Sequence, residues 1–370
     1  MKTSSPYPVA RSTPFRCPRG VRLLAIAIAC AAVLVSLCLS SLAQAGGGAG
    51  TLGWSTPALP GTLSGEAESV SCSSVHLCVL TSSGSGYLVY NGTTWSAPGT
   101  IPGAPDGVSS LDCVSGISLC TAVVDREPHP NVREPGPSYV QFNGKGWSKP
   151  ITPKAKGKKI NGVSCTSKAF CVGLFDSSTA RKRETSYAVD KDGRWSVPKP
   201  FYNNFADLID CVSTSFCEAS DANAIHLLTF NGKSWKTVTD SQFTGFPAAL
   251  SCPTSSFCVL GQGVPYASTG SVLVYNGTKW TGPDLAGDKP SGLVSVSCAS
   301  ASFCVAGSSG ELGESPPPEA SPSTGSVYYY SEGEWSAPTA LDSEGIRDLS
   351  CPSRSFCLAL DGAGRVLIGR

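Results

Sequence analysis

Residues 71–98 read SCSSVHLCVLTSSGSGYLVYNGTTWSAP, and this stretch contains the pattern that decides the fold of the chain. Two cysteines flank a short polar turn, and an Asn-Gly pair then separates two apolar segments, the second of which begins at a tryptophan. Both halves predict β-hairpins, because turn-forming residues stand between short runs of strand-forming residues, and Asn-Gly readily adopts positive φ at both turn positions. One stretch therefore predicts four short strands, labelled A to D in chain order.

The same pattern recurs seven times between Trp54 and the end of the chain. First cysteines of successive copies lie 41 residues apart at the closest, from 72 to 113, and 53 at the widest, from 298 to 351. This is the period of four-stranded propeller blades, so the sequence predicts an all-β, seven-bladed β-propeller. A lone D-type strand at residues 53–57 is expected to complete the last blade, which lacks its own. The seven tryptophans are expected to pack between blades.

The paired cysteines predict disulfides rather than a metal site. Their spacing is five intervening residues, or six in the second copy, whereas zinc sites favour two and need clustered histidines. His76, His129 and His226 occupy unrelated positions. We expect each pair to join strand A to strand B, with no metal and no cofactor. The predicted pairs are Cys72–Cys78, Cys113–Cys120, Cys165–Cys171, Cys211–Cys217, Cys252–Cys258, Cys298–Cys304 and Cys351–Cys357.

The first 45 residues predict a secretory signal peptide. A basic segment without acidic residues precedes an apolar run from Leu23 to Leu39, and Ala43-Gln44-Ala45 fits the rule for cleavage after Ala45. Residues 46–52 would then form a short Gly-rich linker, and residues 53–370 the propeller. The alternative is an uncleaved leader that anchors a surface sensor in the membrane, although the run is slightly short for a span of ~20 residues.

The charge balance argues against nucleic acid as a partner. The whole chain has 28 Lys+Arg and 27 Asp+Glu, and five basic residues lie in the leader, so the secreted part carries 23 against 27, a net charge of −4. Nucleic-acid binding needs a basic face. We expect a monomer that meets an extracellular protein or glycan.

The repeated motif S-C-x-S-x-x-F-C followed by Y-N-G-x-x-W resembles the disulfide-bearing propeller repeats of secreted, mostly uncharacterised actinobacterial proteins. The resemblance covers residues 53–370 and implies the propeller fold without implying an activity. The G-x-x-W end also resembles, more distantly, the Asp-box repeats of sialidases. Only residues 190–195 approach the box aspartate, and the sequence offers no arginine triad, so the sialidase catalytic roles are not carried over.

Loop length predicts a binding face. In a propeller the A–B and C–D turns share one face, and the B–C and D–A loops share the other. The B–C loops carry inserts at residues 125–138, 176–185 and 310–325, while the turns opposite are short. Such inserts commonly mark a binding surface, and the alternative is that they are tolerated without a function. The candidate binding residues are Arg126, His129, Arg133, Arg181 and Arg183.

The mouth of the axial channel is the second candidate site. Strand A is innermost, and the residue four positions before the first cysteine is expected near the mouth. Glu68, Asp207 and Arg347 hold this position in three copies, and a carboxylate pair there would suit acid–base chemistry on a glycoside. The alternative is a wet channel lined by solvated residues. Asp112 and Asp210, which precede their cysteines, are expected to be structural. The sequence thus predicts a binding module, with a secreted glycoside hydrolase or lyase as the alternative.

Overall fold

The computed structural model describes residues 51–125, 136–153, 159–179, 182–221, 226–239, 245–263, 270–282, 292–309 and 325–370. These residues form β-strands and their connections, arranged as seven antiparallel sheets. Each sheet is one blade, so the predicted seven-bladed propeller is confirmed. Within these ranges the structure contains no helix of the length and apolarity that a membrane crossing requires. The predicted signal peptide, residues 1–45, lies outside them.

The strands follow one another blade by blade, except that the first, β1 (Trp54–Ser55), belongs to blade 7. Blade 1 contains β2 (Ala67–Ser74), β3 (Leu77–Ser82), β4 (Gly86–Tyr90) and β5 (Gly99–Thr100). Blade 2 contains β6 (Val108–Cys113), β7 (Cys120–Val124) and β8 (Tyr139–Phe142). Blade 3 contains β9 (Ile160–Ser167), β10 (Phe170–Asp176), β11 (Thr185–Lys191), β12 (Arg194–Trp195) and β13 (Lys199–Tyr202).

The second half of the ring has the same plan. Blade 4 contains β14 (Leu208–Ser213), β15 (Phe216–Ser220), β16 (His226–Phe230) and β17 (Trp235–Thr239). Blade 5 contains β18 (Phe246–Thr254), β19 (Phe257–Gly263), β20 (Ser271–Tyr275) and β21 (Trp280–Thr281). Blade 6 contains β22 (Leu293–Ser300), β23 (Phe303–Ser308), β24 (Gly325–Ser331), β25 (Glu334–Trp335) and β26 (Thr339–Asp342). Blade 7 contains β27 (Ile346–Ser353), β28 (Phe356–Asp361) and β29 (Val366–Gly369).

The two ends of the chain close the ring, as the lone strand at Trp54 predicts. Strand β1 pairs with β29, with Trp54 opposite Gly369. Gly53 N donates to the carbonyl of Arg370 at 2.9 Å, and Arg370 N donates to the carbonyl of Gly53 at 3.0 Å. Blade 7 thereby gains its fourth strand, and the edge of β29 is covered.

The outermost strand varies between blades. In blade 2 it is reduced to two isolated bridges, Phe142 with Trp147 and Tyr139 with Ile151. In blades 3 and 6 it is divided into two short strands that both pair with strand C. Every blade therefore has the three inner strands, and the outermost strand differs from blade to blade.

The Asn-Gly turns lie where the sequence predicts hairpins but have a different conformation. Positive φ occurs at the glycine and not at the asparagine in the turns of Gly92, Gly144, Gly232 and Gly277. The Asn91 side chain instead accepts the N–H groups of Thr93 at 3.0 Å and Thr94 at 2.8 Å, which closes a loop of four residues. Turns with positive φ at both positions occur at Asp192-Gly193 and Glu332-Gly333.

Seven interfaces between neighbouring blades divide the hydrophobic core among them, and each contains one tryptophan. Every tryptophan belongs to a hydrophobic cluster with an aromatic residue of the preceding blade, which confirms the predicted inter-blade role. Direct ring contacts join Trp147 with Tyr87, Trp195 with Tyr139 and Trp235 with Tyr187. The other four share a cluster with a phenylalanine: Trp95 with Phe356, Trp280 with Phe216, Trp335 with Phe257 and Trp54 with Phe303.

All seven predicted disulfides are present, each between strands A and B of one blade. Most of the paired cysteines face each other in the strand ladder, as Cys72 and Cys78 do. The longer spacing in blade 2 reflects a connection of six residues, 114–119, where the other blades have two. Seven disulfides indicate an oxidising environment, as found outside the cytosol.

Candidate functional site

The two faces of the propeller differ in the length of their connections. On the face that we call the cysteine-turn face, strands A and B are joined by two residues in every blade except blade 2. On the opposite face, which we call the loop face, strands B and C are joined by as few as three residues, after Ser82, and as many as sixteen, after Ser308. Repeated blades do not require such variation, so the loop face is where the surface departs from the repeat.

A ring of seven side chains surrounds the axial channel near the cysteine-turn face. Each residue precedes the first cysteine of its blade, and its side-chain oxygen accepts the N–H of the first cysteine in the next blade. Ser71 accepts from Cys113 at 3.0 Å, and Ser350 of blade 7 accepts from Cys72 of blade 1 at 3.0 Å. The seven acceptors are Ser71, Asp112, Ser164, Asp210, Ser251, Ser297 and Ser350. The ring thus links all innermost strands.

This ring borders a cavity of about 330 Å³, and two of its members are carboxyl groups. Burial raises the pKa of Asp112, and burial together with the neighbouring Asp112 raises the pKa of Asp210 to about 7. Ser164 Oγ donates to Asp112 Oδ2 at 3.1 Å, and Cys252 N donates to Asp210 Oδ2 at 2.6 Å. Because both carboxyl groups bond to a neighbouring blade, their position agrees with the structural role expected from the sequence.

Asp348 forms a second set of hydrogen bonds between the innermost strands of neighbouring blades, which the sequence analysis did not predict. Its carboxyl accepts Ser69 Oγ at 2.8 Å and Val70 N at 2.9 Å from blade 1, and Ser295 Oγ at 3.0 Å from blade 6. One side chain of blade 7 therefore ties three blades together. The available signal was that Asp348 is the only acidic residue three positions before a first cysteine.

Glu68 and Arg347, two of the predicted channel-mouth residues, lie at β-bulges on neighbouring blades. Both are exposed, and the pairing with strand B skips each of them. A bulge re-aims its side chain, so strand alternation does not predict where these residues point. Arg347 Nη1 donates to the carbonyl of Ala67 at 3.3 Å, which brings Arg347 beside the strand of Glu68. No ion pair joins Glu68 to Arg347 in the described part of the chain.

Asp207, the third of these residues, stands immediately before β14 in blade 4. It is half-buried, and its Oδ1 accepts the N–H of Leu208 at 3.0 Å. Blade 4 lies across the ring from blade 1, and the position of Asp207 and Glu68 at the channel mouth stays a prediction. Their convergence on a substrate stays a prediction.

Of the predicted binding residues, Arg183 is described, and Arg126, His129, Arg133 and Arg181 lie outside the described residues. Arg183 is exposed on the loop face, with its guanidinium 6.0 Å from the ring centroid of Phe205. In the connection that carries it, Thr179 pairs with Lys182. The role of this set in binding therefore stays a prediction.

Glu218 is a buried carboxyl that the sequence analysis did not single out. It lies in β15 with none of its surface exposed, and Thr229 Oγ1 donates to its Oε1 at 2.7 Å. Its Oε2 has no hydrogen-bond partner among the described residues. Burial raises the pKa of Glu218 to about 8. Since no solvent reaches Glu218, we expect its raised pKa to affect the stability of the fold rather than ligand binding.

No cluster of three or more His, Cys, Asp or Glu side chains in the described ranges is placed to hold a metal ion.

Solved structures of other propellers resemble this fold. The chain aligns with the WD40 β-propeller domain of Doa1 with a TM-score of 0.61 and 10% identity, covering 86% of this chain and 97% of that one. It aligns with YCF48 bound to D1 peptide with a TM-score of 0.58 and 10% identity, covering 85% of this chain and 96% of that one. It aligns with the GH74 xyloglucanase from Xanthomonas campestris with a TM-score of 0.56 and 12% identity, covering 85% of this chain and 53% of that one. Identities this low show the fold alone.

No known family profile and no curated protein sequence matches the chain. The class that the fold defines is a disulfide-bonded seven-bladed β-propeller. The likeness to actinobacterial repeats and to sialidase Asp boxes stays a prediction from sequence.

Proposed function

We propose that this protein is a secreted propeller that binds an extracellular protein or glycan through its loop face. The observation that carries the proposal is the contrast in connection length. The A–B turns contain two residues in six blades, while the B–C connections contain between three and sixteen. A scaffold that is repetitive on one face and variable on the other is the arrangement that binding propellers use.

A bound peptide in a related fold supports this mode of action. YCF48 has been solved with D1 peptide, and its fold matches this chain over 85% of its length. The likeness concerns the backbone fold, so the residues that hold a partner here have to come from this chain's own loops.

Secretion is the second part of the proposal. Seven disulfides fit an oxidising compartment, and residues 1–45 have the pattern of a signal peptide. We expect the mature chain to begin at Gly46, with a linker at residues 46–52 and a monomeric propeller at 53–370. Mass spectrometry of the N-terminal peptide tests this. A retained leader would contradict secretion and support the membrane-anchored alternative.

Loop replacement tests the binding face. The full chain is screened against arrays of glycans and of secreted proteins, and residues 126–135 are then replaced by a short Gly-Ser linker. We expect the captured partner to be lost. In the matched control, Ile117 and Lys145, which are exposed on the cysteine-turn face of the same blade, are exchanged for serine, and binding should persist. Equal binding by both variants would assign the partner to another surface.

The alternative is a glycoside hydrolase or lyase that uses Glu68 and Asp207. Their predicted positions at the channel mouth motivate it, and a GH74 xyloglucanase shows a similar fold. For a substrate that the protein turns over, Glu68→Ala or Asp207→Ala should lower kcat about 100-fold or more, because each would remove an acid or base from the reaction. Unchanged turnover in both variants would exclude this mechanism.

A further inference from the structure

A groove on the cysteine-turn side of blades 3 and 4 collects four cationic side chains. It has a volume of about 350 Å³, and Lys191, Arg194, Lys199 and Lys233 line it. All four are exposed, and none forms an ion pair within the described residues. Asp190 and Asp192 flank Lys191 in the sequence. Asp190 is buried, and its carboxyl accepts a hydrogen bond from Tyr139 Oη, whereas Asp192 is exposed at the tip of the adjacent turn.

The strand pairing explains why the cations share one surface. Lys191 lies directly opposite Arg194, and Tyr187 directly opposite Lys199. Directly opposed residues point to the same side of a sheet, as do residues two positions apart on one strand. Tyr187 packs on Phe230 of blade 4, so the whole row faces that blade.

Blade 4 completes the groove with a turn that the opposite wall holds in place. Tyr187 Oη donates to the carbonyl of Lys233 at 3.3 Å, which fixes this turn beside the cationic row. Half-buried Tyr187 supplies an aromatic floor, and the buried ring of Phe230 packs behind it.

Blade 6 has the same strand arrangement without the cationic residues. There Ser331 and Glu334 occupy the positions of Lys191 and Arg194, and Thr339 the position of Lys199. The fold therefore does not need cations at these sites. Like charges directly opposite each other destabilise a sheet, and Lys191 and Arg194 are such a pair in blade 3. An anionic ligand would reduce their repulsion.

We propose that this groove binds an acidic saccharide, a sugar chain that carries carboxylate or sulfate groups. Four unpaired cations match the anionic groups, and the aromatic floor and lysine methylenes match the apolar faces of sugar rings. The volume is within the range of small-ligand sites. The groove lies on the opposite face from the loops of the proposed function, so either assignment can fail without the other.

Fluorescence anisotropy with labelled oligosaccharides tests the proposal on the full disulfide-bonded chain. The probes are an oligogalacturonate, a heparin-derived hexasaccharide, neutral maltohexaose and, as an anion that is not a saccharide chain, oligothymidylate, all at low ionic strength. We expect an acidic probe to bind and maltohexaose not to bind, and the better acidic probe identifies carboxylate or sulfate. The double variant Lys191→Ala, Lys233→Ala should weaken binding about tenfold or more, because two charged contacts are lost.

The double variant Lys145→Ala, Lys279→Ala is the matched control, since these exposed lysines lie in the C–D turns of blades 2 and 5 on the same face. It removes the same charge and should leave affinity within about twofold. Equal weakening by both pairs would reduce the effect to diffuse charge attraction and overturn the proposal. Absence of binding by both acidic probes, or equally tight binding of oligothymidylate or maltohexaose, would also overturn it.

Discussion

The junction of blades 6, 7 and 1 and the interior of blade 4 each bury a carboxyl group in very different surroundings. At the junction, Asp348 accepts hydrogen bonds from Ser69, Val70, Ser295 and the N–H of Leu349. In blade 4, Glu218 receives one hydrogen bond, from Thr229, and its second oxygen has none among the described residues. Burial raises the pKa of both carboxyl groups, and four hydrogen bonds oppose that shift at Asp348 where one opposes it at Glu218.

The second region breaks a rule that five blades follow. In those blades the ring serine pairs across the sheet with an apolar residue of strand B, as Ser251 pairs with Val259. Blade 4 pairs Asp210 with Glu218, and blade 2 pairs Asp112 with Thr121. Among the ring positions, a polar residue therefore lies opposite on strand B in blades 2 and 4, and an apolar one in the other five blades.

Replacement of Asp348 by alanine should produce the largest effect. Ser69 Oγ, Val70 N and Ser295 Oγ would lose their acceptor, while Leu349 N would keep Ser295 Oγ at 3.0 Å. Because burying unpaired donors is costly, we expect the free energy of unfolding to fall by about 3–4 kcal/mol. Urea unfolding followed by tryptophan fluorescence measures it. Glu344→Ala, an exposed acidic residue of the same blade-6-to-7 connection, is the control. A loss under about 1 kcal/mol for Asp348→Ala would show that the junction does not depend on this carboxyl.

Replacement of Glu218 by glutamine should stabilise the protein in a pH-dependent manner. Burial raises the pKa of Glu218 to about 8 from 4.5, so the folded state binds more protons than the unfolded state between these values. Wild-type stability therefore falls as the pH rises from about 4.5 to about 8, and is level above that. The glutamine variant lacks this slope. The two proteins should match near pH 4.5, and the variant should be about 2–3 kcal/mol more stable at pH 8.5.

Unfolding midpoints at pH 4.5 and pH 8.5 check this prediction, with Glu334→Gln as a control because that glutamate is exposed. A constant difference between wild type and Glu218→Gln at both pH values would mean that the pKa of Glu218 is not raised in the folded state.

Sequence reasoning succeeds here for features that each repeat carries within itself. The cysteine pairs, the tryptophans and the unmatched strand at Trp54 are visible in single copies, and they predict the blades, the disulfides and the closure. The ring bonds could not be predicted in this way, because Ser71 and its partner Cys113 belong to different copies. The bulge at Glu68 was missed because one extra residue in a strand leaves the alternating pattern readable on both sides. The Asn-Gly turns differ because the Asn91 side chain can close a longer loop.

Removal of one disulfide should have the same effect in both regions. Cys211–Cys217 of blade 4 and Cys351–Cys357 of blade 7 close loops of equal length. Chain entropy predicts a loss of about 2 kcal/mol for either pair replaced by alanines. Urea unfolding of the two double variants measures this. Clearly unequal losses would show that the contribution of a disulfide depends on the blade around it and not on the length of the loop that it closes.

Replacement of Asp210 by serine should have the smallest effect, since it restores the residue that five blades have at this ring position. Serine can accept the N–H of Cys252, just as Ser251 accepts that of Cys298 at 3.0 Å. Burial and the nearby Asp112 raise the pKa of Asp210 to about 7, so wild-type stability falls between about pH 4 and pH 7. We expect the variant to match wild type near pH 4 and to be about 1 kcal/mol more stable at pH 8, because the Asp210 side chain is only partly buried and solvent screens part of the repulsion. Asp112→Ser should behave similarly. If the double variant gains less than the sum of the two single variants, the carboxyl groups repel each other across the ring. Strict additivity would mean that each is raised by burial alone.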